Sequence, residues 1–183
     1  GMRIRRESAT DHAGIRAVHL AAFGNQGRSV AELVDALTTS IDIAERLSLV
    51  AVDDTGVVGH IMFSKSLLDA PSQLVDVMVL SPLAVLPSHQ RQGIGAALVA
   101  EGIKLVTRLD VPLVFLEGDP TYYSRLGFRP GKELNFRRPS LRIPEPAFQV
   151  MPLPAYQPWM TGTLVYAHAF WDTDTVGLRD TVR

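Results

Sequence analysis

Residues 80–99 constrain the fold of this chain more than any other stretch, because they read as an apolar strand, a loop with two closely spaced glycines and a helix. Gly93 and Gly95 lack side chains at the point where the loop turns into the helix. Backbone N–H groups can therefore converge there on an anion, and the helix N-terminus adds unpaired N–H groups and a partial positive charge. The stretch predicts a binding site for a phosphate or a pyrophosphate.

Three glycine patterns bind phosphate groups at such a position, and they differ in spacing. A Walker A loop requires Gly-x-x-x-x-Gly-Lys-Ser/Thr, which the chain lacks, and a dinucleotide-binding fingerprint requires a small residue where Leu98 stands. The pattern Gln/Arg-x-x-Gly-x-Gly/Ala is matched in full by residues 90–95. Alternatively, Gly93 and Gly95 only permit close packing of the helix on the strand, and the six-residue pattern alone does not separate these interpretations.

Apolar periodicity predicts a mixture of strands and helices on both sides of this stretch. Strands are predicted at 2–6, 47–52, 57–66, 73–86 and 111–116, and helices at 12–23, 28–40 and 94–109. A polar loop is expected at 67–72, and Pro82 predicts a bulge or break because proline cannot donate to the ladder. Helices flanking a mixed sheet place the chain in the α+β class.

The C-terminal third is punctuated by prolines and gives a weaker pattern. Short strands are predicted around Phe136, at 141–143, at 148–151 and at 161–170. Residues 129–170 are expected to complete a single domain whose core is 2–128, and 171–183 are expected to form a weakly ordered tail.

A second motif follows the predicted strand at 111–116. Asp119 and Pro120 are suited to cap and begin a short helix, and Gly127 is suited to end it. The segment carries Tyr-x-x-x-Gly-Phe at residues 123–128. With the glycine loop at 90–95, it resembles the paired motifs of the GCN5-related N-acetyltransferase (GNAT) superfamily. The longer pattern Gly-Asp-Pro-x-Tyr-Tyr-x-Arg-x-Gly-Phe looks like that of the broad YhbS-like group of acetyltransferases.

This resemblance covers about residues 3–170 and implies a GNAT fold with a mixed sheet of about six to seven strands, in the order β-α-α-β-β-β-α-β-α-β-β. It implies that the fourth and fifth strands splay apart and hold acetyl-CoA, whose pantetheine arm pairs with exposed backbone. The cofactor-binding residues implied are Leu83, Ala84, Val85, Arg91, Gln92, Gly93, Ile94, Gly95, Ala96 and Tyr123.

The resemblance also implies direct attack of an amine on the acetyl-CoA thioester. Tyr123 is the expected general acid toward the CoA sulfur, and the Val85 backbone N–H is the expected donor to the thioester oxygen. The general base stays open between His60, Asp76, Glu117 and a water chain. His60 is equally interpreted as a hydrogen-bonded residue of the core.

The amino-acid composition excludes several classes of chemical site and of binding partner. The 183 residues contain no cysteine, which excludes disulfides and thiolate chemistry, and no metal site is expected. The formal charge of −1 gives no electrostatic case for nucleic acid or membrane partners, and a cytoplasmic location is expected. Two alternatives to an N-acetyltransferase stay open: an acyl-CoA sensor without turnover, and a transferase using a longer acyl-CoA. The acceptor amine is not identified, and a homodimer is a possibility drawn from relatives.

Overall fold

The computed structural model describes residues 1–180, and within them nine strands form a mixed sheet accompanied by five α-helices. The strands are β1 (Arg3–Arg6), β2 (Arg46–Asp53), β3 (Gly56–Asp69), β4 (Leu74–Val85), β5 (Leu113–Glu117), β6 (Arg129–Pro130), β7 (Phe136–Arg137), β8 (Phe148–Pro152) and β9 (Gly162–Val165). The helices are α1 (His12–Ala22), α2 (Gly27–Ser40), α3 (Ile94–Arg108), α4 (Pro120–Ser124) and α5 (His168–Asp172). The predicted α+β class is confirmed, with more strands than expected because four short ones follow β5.

The sheet follows the order β1-β2-β3-β4-β5-β8-β6, with β9 paired to β3 and β7 paired to β9. The β4–β5 pair is parallel, and α3 forms the crossover between these two strands. Side chains on β3 alternate between the two faces: Met62 belongs to the buried cluster that includes α1 and α2, and Phe63 to the cluster that includes α3. Gly102 lets α3 lie directly on the Phe63 ring, since a Cβ there would come within 2.2 Å of it. Helices therefore cover both faces of the sheet.

The bulge predicted near Pro82 is confirmed, and it shapes the centre of the sheet. The register between β3 and β4 shifts from Phe63 opposite Leu80 to Ile61 opposite Leu83, so that two β4 residues face one on β3. On its other side β4 pairs with β5 only at Met78 and Val79. The last residues of β4 therefore diverge from β5 and leave a slot between the strands.

Three local predictions in the chain were wrong. The first half of the loop expected at 67–72 is strand, because β3 continues to Asp69 and is paired there by both β4 and β9. Residues 141–143 form a turn rather than a strand. The strand expected at 161–170 ends at Val165, since Tyr166 and Phe170 stack at a ring distance of 4.8 Å across the start of α5, at helical spacing.

The predicted weakly ordered tail is also corrected for the part that the structure describes. Val176 is 1% exposed, the Gly177 N–H donates to Glu117 Oε1 over 2.8 Å, and the Leu178 N–H donates to the Arg142 carbonyl over 3.0 Å. We call residues 174–178 the C-terminal strap. The end of the predicted tail, 181–183, lies outside the described residues. Within residues 1–180, no helix is long and apolar enough to cross a bilayer.

Candidate functional site

The two glycines of the β4–α3 loop serve different structural needs. Gly93 caps α3 with φ +83°, in the left-handed region that favours glycine, and a Cβ there would meet open space. Gly95 has ordinary helical backbone, but a Cβ there would lie 2.6 Å from the Tyr122 hydroxyl oxygen. Glycine is therefore favoured at position 93 by the backbone conformation, and at position 95 by the close approach of the Tyr122 hydroxyl.

The backbone amides of residues 91–96 form an unfilled set of donors. Their N–H groups donate to no acceptor within residues 1–180, whereas the next amide, that of Ala97, donates to the Gly93 carbonyl over 3.0 Å. These donors lie at the positive end of α3, a helix of 15 residues, and the exposed Arg91 belongs to the same loop. The loop thus has the donors and the field to bind an anion such as a pyrophosphate.

A cavity of about 400 Å³ lies between this loop, the end of β4 and the end of α1, and we call it the β4 cavity. It brings together the predicted cofactor residues except Gln92 and Tyr123. Its lining residues are Ala22, Phe23, Leu83, Ala84, Val85, His89, Gln90, Arg91, Gly93, Ile94, Gly95, Ala96 and Tyr122.

The end of β4 directs backbone groups into the slot. The Leu86 N–H donates to the Val58 carbonyl over 2.8 Å, so this pair is hydrogen-bonded across the β3–β4 ladder. Because such bonds alternate in an antiparallel ladder, the N–H and C=O of Val85 point away from β3, toward the side from which β5 has diverged. The Val85 carbonyl accepts the Gln90 side-chain amide over 3.0 Å. The Val85 N–H therefore faces the slot.

A second cavity of about 450 Å³ adjoins the first, and we call it the strap cavity because the C-terminal strap forms one of its walls. Residues of α2, the bulge of β4, the end of β5 and the segment 118–123 form the rest of its lining. Phe23 and Leu83 line both cavities, so the two meet at these side chains.

The two adjacent tyrosines point into different cavities. Tyr122 lines the β4 cavity with its hydroxyl above Gly95, and Tyr123 lines the strap cavity. Their rings meet edge to face at 4.9 Å. Burial raises the pKa of Tyr123 well above its ordinary value, with smaller contributions from the neighbouring Tyr122 and Asp119. Tyr123 is therefore a protonated donor across the neutral and mildly alkaline range.

Glu117 places a partly buried carboxylate in the strap cavity. Its Oε2 accepts the Tyr166 hydroxyl over 2.7 Å, and its Oε1 accepts the Gly177 N–H of the C-terminal strap. Burial raises the pKa of Glu117 despite these two donors and the nearby charge of Arg142. Asp76, by contrast, has a side chain 72% exposed, lies 3.7 Å from Lys65 Nζ and lines neither cavity.

His60 lies in the core and reaches neither cavity. It is 0% exposed, with Nδ1 2.8 Å from His19 Nε2 and Nε2 2.8 Å from the Ser48 hydroxyl. Burial, with the His19 ring adding to it, lowers the pKa of His60 well below its ordinary value. Of the three candidate bases, only Glu117 lines a cavity next to Tyr123. Among residues 1–180, no group of three or more His, Asp or Glu side chains is placed to hold a metal ion.

Sequence reasoning missed four contributors: Phe23 at the junction of the cavities, His19 behind it, and Tyr166 and Gly177 on Glu117. Each is far in sequence from the residue it contacts or the strand it faces, so no local pattern marked it. Of the four, the sequence distinguishes only His19, because it is a single polar residue on an otherwise apolar face of its helix.

Comparison with known proteins agrees with this geometry. Residues 44–130 match the family model described as an acetyltransferase (GNAT) domain. The uncharacterized N-acetyltransferase YhbS of Escherichia coli K12 is 35% identical over 152 residues, covering 81% of this chain and 86% of that protein. The uncharacterized N-acetyltransferase YjhQ of the same organism is 35% identical over 121 residues, which is 66% of each chain.

Solved structures share the whole fold. The crystal structure of E. coli YhbS in complex with CoA superposes with a TM-score of 0.81 at 31% identity, covering 92% of this chain and 91% of that one. A GNAT family acetyltransferase from Brucella melitensis in complex with acetyl-CoA gives a TM-score of 0.73 at 33% identity, covering 93% and 98%. Because the chain shares this sequence identity with GNAT acetyltransferases across most of its length, it belongs to the GNAT family of N-acetyltransferases.

Proposed function

We propose that this protein transfers an acetyl group from acetyl-CoA to a primary amine of a small molecule or peptide by direct attack. The observation that carries the proposal is the meeting of two cavities, one edged by unfilled loop amides and one holding Tyr123 and Glu117. Relatives at 31% and 33% identity have been solved with CoA and acetyl-CoA bound. A donor site and an acceptor site in contact are what direct transfer requires.

The β4 cavity is suited to the acetyl-CoA donor. The amides of residues 91–96 and the Arg91 guanidinium would neutralise the pyrophosphate, while the backbone of Leu83 to Val85 would pair with the pantetheine arm. Tyr122 would contact the same arm or the pyrophosphate, because its hydroxyl lies directly over Gly95.

The strap cavity is suited to an amine acceptor. Its described lining includes the carboxylates of Glu117 and Asp119 and no lysine or arginine, whereas a third lining carboxylate, that of Asp174, is already paired with Arg179 at 2.9 Å. These negative charges would attract an ammonium group and disfavour an acidic acceptor. A cationic amine would thereby be concentrated beside the end of the donor slot.

The chemistry divides among three groups. The neutral amine nitrogen attacks the thioester carbon, and the Val85 N–H stabilises the charge that develops on the carbonyl oxygen. As the carbon–sulfur bond breaks, Tyr123 donates a proton to the departing sulfur. Glu117 accepts the proton that the amine nitrogen loses, since it is the candidate base that lines the strap cavity. An acceptor that enters as an ammonium first loses one proton to water and so becomes the neutral amine. After transfer, Glu117 gives its proton to water and Tyr123 regains one from water, and the products are the acetylated amine and CoA with a free thiol.

Thermal denaturation with separate additions of CoA, acetyl-CoA and ATP tests the donor. A ligand at a hundredfold over its Kd stabilises the fold by about 2.7 kcal/mol, which shifts the Tm of a domain of this size by about 5 to 10 °C. We expect this shift with CoA and acetyl-CoA and none with ATP. An amine panel with thiol release as readout then tests transfer. No shift with either CoA species, from a folded sample, would contradict the proposal.

A further inference from the structure

Phe23 occupies the boundary between donor and acceptor sites. It follows the last residue of α1, is half-buried, and lines both cavities together with Leu83. Leu83 reaches this boundary from β4, and Phe23 reaches it from the end of α1. An acyl group extending from the end of β4 toward the strap cavity would pass between these two side chains.

The Phe23 ring is backed by a buried hydrogen-bonded chain. It stacks on the His19 ring at 5.9 Å with an angle of 16° between the planes, and its N–H donates to the His19 carbonyl over 3.1 Å. His19 is 0% exposed and is bonded in turn to the equally buried His60. The ring cannot retreat from the boundary without displacing these side chains, because the core behind it is filled.

The bonding order along that chain is determined. Ser48 donates its proton to Glu7, so it accepts from His60 Nε2, and the neutral His60 ring must then accept at Nδ1 from His19 Nε2. This leaves His19 Nδ1 buried, with no partner within residues 1–180. Each imidazole is thus held in one tautomer and one orientation, which fixes the surface on which Phe23 rests.

We propose that Phe23 limits the acyl chain of the donor to acetyl. The proposal deepens the function proposed above and rests on it. A longer chain would press its added methylenes against the Phe23 ring, which the histidine pair holds in place. Truncating Phe23 would widen the opening between the end of the donor slot and the strap cavity, whose about 450 Å³ can accept several methylenes.

Binding measurements test this without knowledge of the acceptor. Kd values for CoA, acetyl-CoA, butyryl-CoA and hexanoyl-CoA are measured by titration calorimetry on the full chain. A single misfitting methylene changes affinity by about 10- to 200-fold. In the wild type, butyryl-CoA is therefore expected to bind at least about tenfold more weakly than acetyl-CoA. In Phe23→Ala this ratio should fall to about 1, and Phe23→Leu should give an intermediate ratio.

Leu20→Ala is the matched control, since Leu20 lies on α1 one turn earlier, is 43% exposed and lines neither cavity. It should keep the wild-type ratio. Each ratio compares two ligands on one protein, so a general change in CoA affinity cancels, and the Kd for CoA measures that change separately. A wild-type ratio near 1, or an unchanged ratio in Phe23→Ala with CoA binding intact, would overturn the role of Phe23 alone. Failure of the folded wild type to bind any CoA species would overturn the proposed function and this inference with it.

Discussion

Lowering the pH from about 8 to about 5 is expected to destabilise the fold through the buried pair His19 and His60. Burial lowers the pKa of His19 from 6.5 to about 4, and burial also lowers that of His60. Both rings are neutral in the folded protein, whereas in the unfolded chain they take up protons as the pH falls through about 6.5. The unfolded state binds more protons in this window, so stability is highest above it and decreases as the pH falls toward 4.

The geometry gives the reason and the size of this effect. A proton added to His60 Nδ1 would face the Nε2–H of His19 and break the 2.8 Å bond between the rings. The negative charge of Asp11 raises the pKa of His60, but this effect is smaller than the lowering caused by burial and by the His19 ring. For His19, a pKa lowered from 6.5 to about 4 corresponds to about 3 kcal/mol in full and about 2 kcal/mol at pH 5. His60 adds to it in the same direction.

Urea unfolding at about pH 8 and about pH 5 measures the difference directly. His19→Gln keeps an amide donor for His60 Nδ1 but does not titrate, so it should recover at least about 2 kcal/mol of the wild-type loss. His12→Gln, at an exposed position of the same helix, is the control for the loss of a histidine outside the buried pair. If the wild type and His19→Gln lose the same free energy of unfolding between the two pH values, the pair is not titrating as argued.

Three further predictions concern the site. Tyr123→Phe should lower kcat by about 10²- to 10⁴-fold while the Kd for CoA stays unchanged, measured by thiol release and calorimetry, because only the proton donor is removed; an unchanged kcat would remove Tyr123 from the mechanism. Gly95→Glu should abolish CoA binding by filling the space below Tyr122 with a carboxylate, whereas Ala100→Glu, exposed on the same helix, should bind normally; equal affinity in the two folded variants would contradict the loop assignment. Glu117→Gln should lower kcat by about 10²-fold or more and remove the acidic limb of the kcat profile. That limb should lie above the ordinary carboxyl range in the wild type, since burial raises the pKa of Glu117 and activity falls as it is protonated; a limb that persists in the variant belongs to another group.

The parts of the site that could be predicted from sequence are those whose physics is local. Gly93 needs positive φ because it caps α3, and Asp119 accepts the Thr121 N–H because it caps α4. Pro82 disturbs the ladder wherever it stands in a central strand. Each of these residues acts on backbone within a few positions of itself, so a short pattern was enough to place the caps and the bulge, whereas the slot between β4 and β5 was implied by the family resemblance.

The roles of His60 and the C-terminal segment could not be read in this way, because they depend on pairings across the whole chain. His60 stands in the middle of β3 with apolar neighbours, and only the docking of α1 supplies His19 to fill its hydrogen bonds. The segment after α5 has little apolar periodicity, yet the buried Val176 and the hydrogen bonds from the Gly177 and Leu178 N–H groups to Glu117 and Arg142 hold it in place. A segment that is too short to form a helix or a strand has no apolar periodicity by which it could be predicted, although it can still form the wall of a cavity.

The strap also explains why Glu117 differs from an ordinary strand-end carboxylate. Its burial comes from residues more than forty positions later in the chain, Tyr166 and Gly177, which cover it and donate to its two oxygens. The covering withdraws the carboxylate from water and raises its pKa, while the two donors hold both oxygens in fixed positions at the cavity wall. A base needs a raised proton affinity and a fixed orientation at the same time, and burial against hydrogen-bond donors supplies both. The C-terminal strap, which no motif predicted, therefore lines the same cavity as Glu117 and Tyr123 and holds Glu117 in the position that the proposed role as base requires.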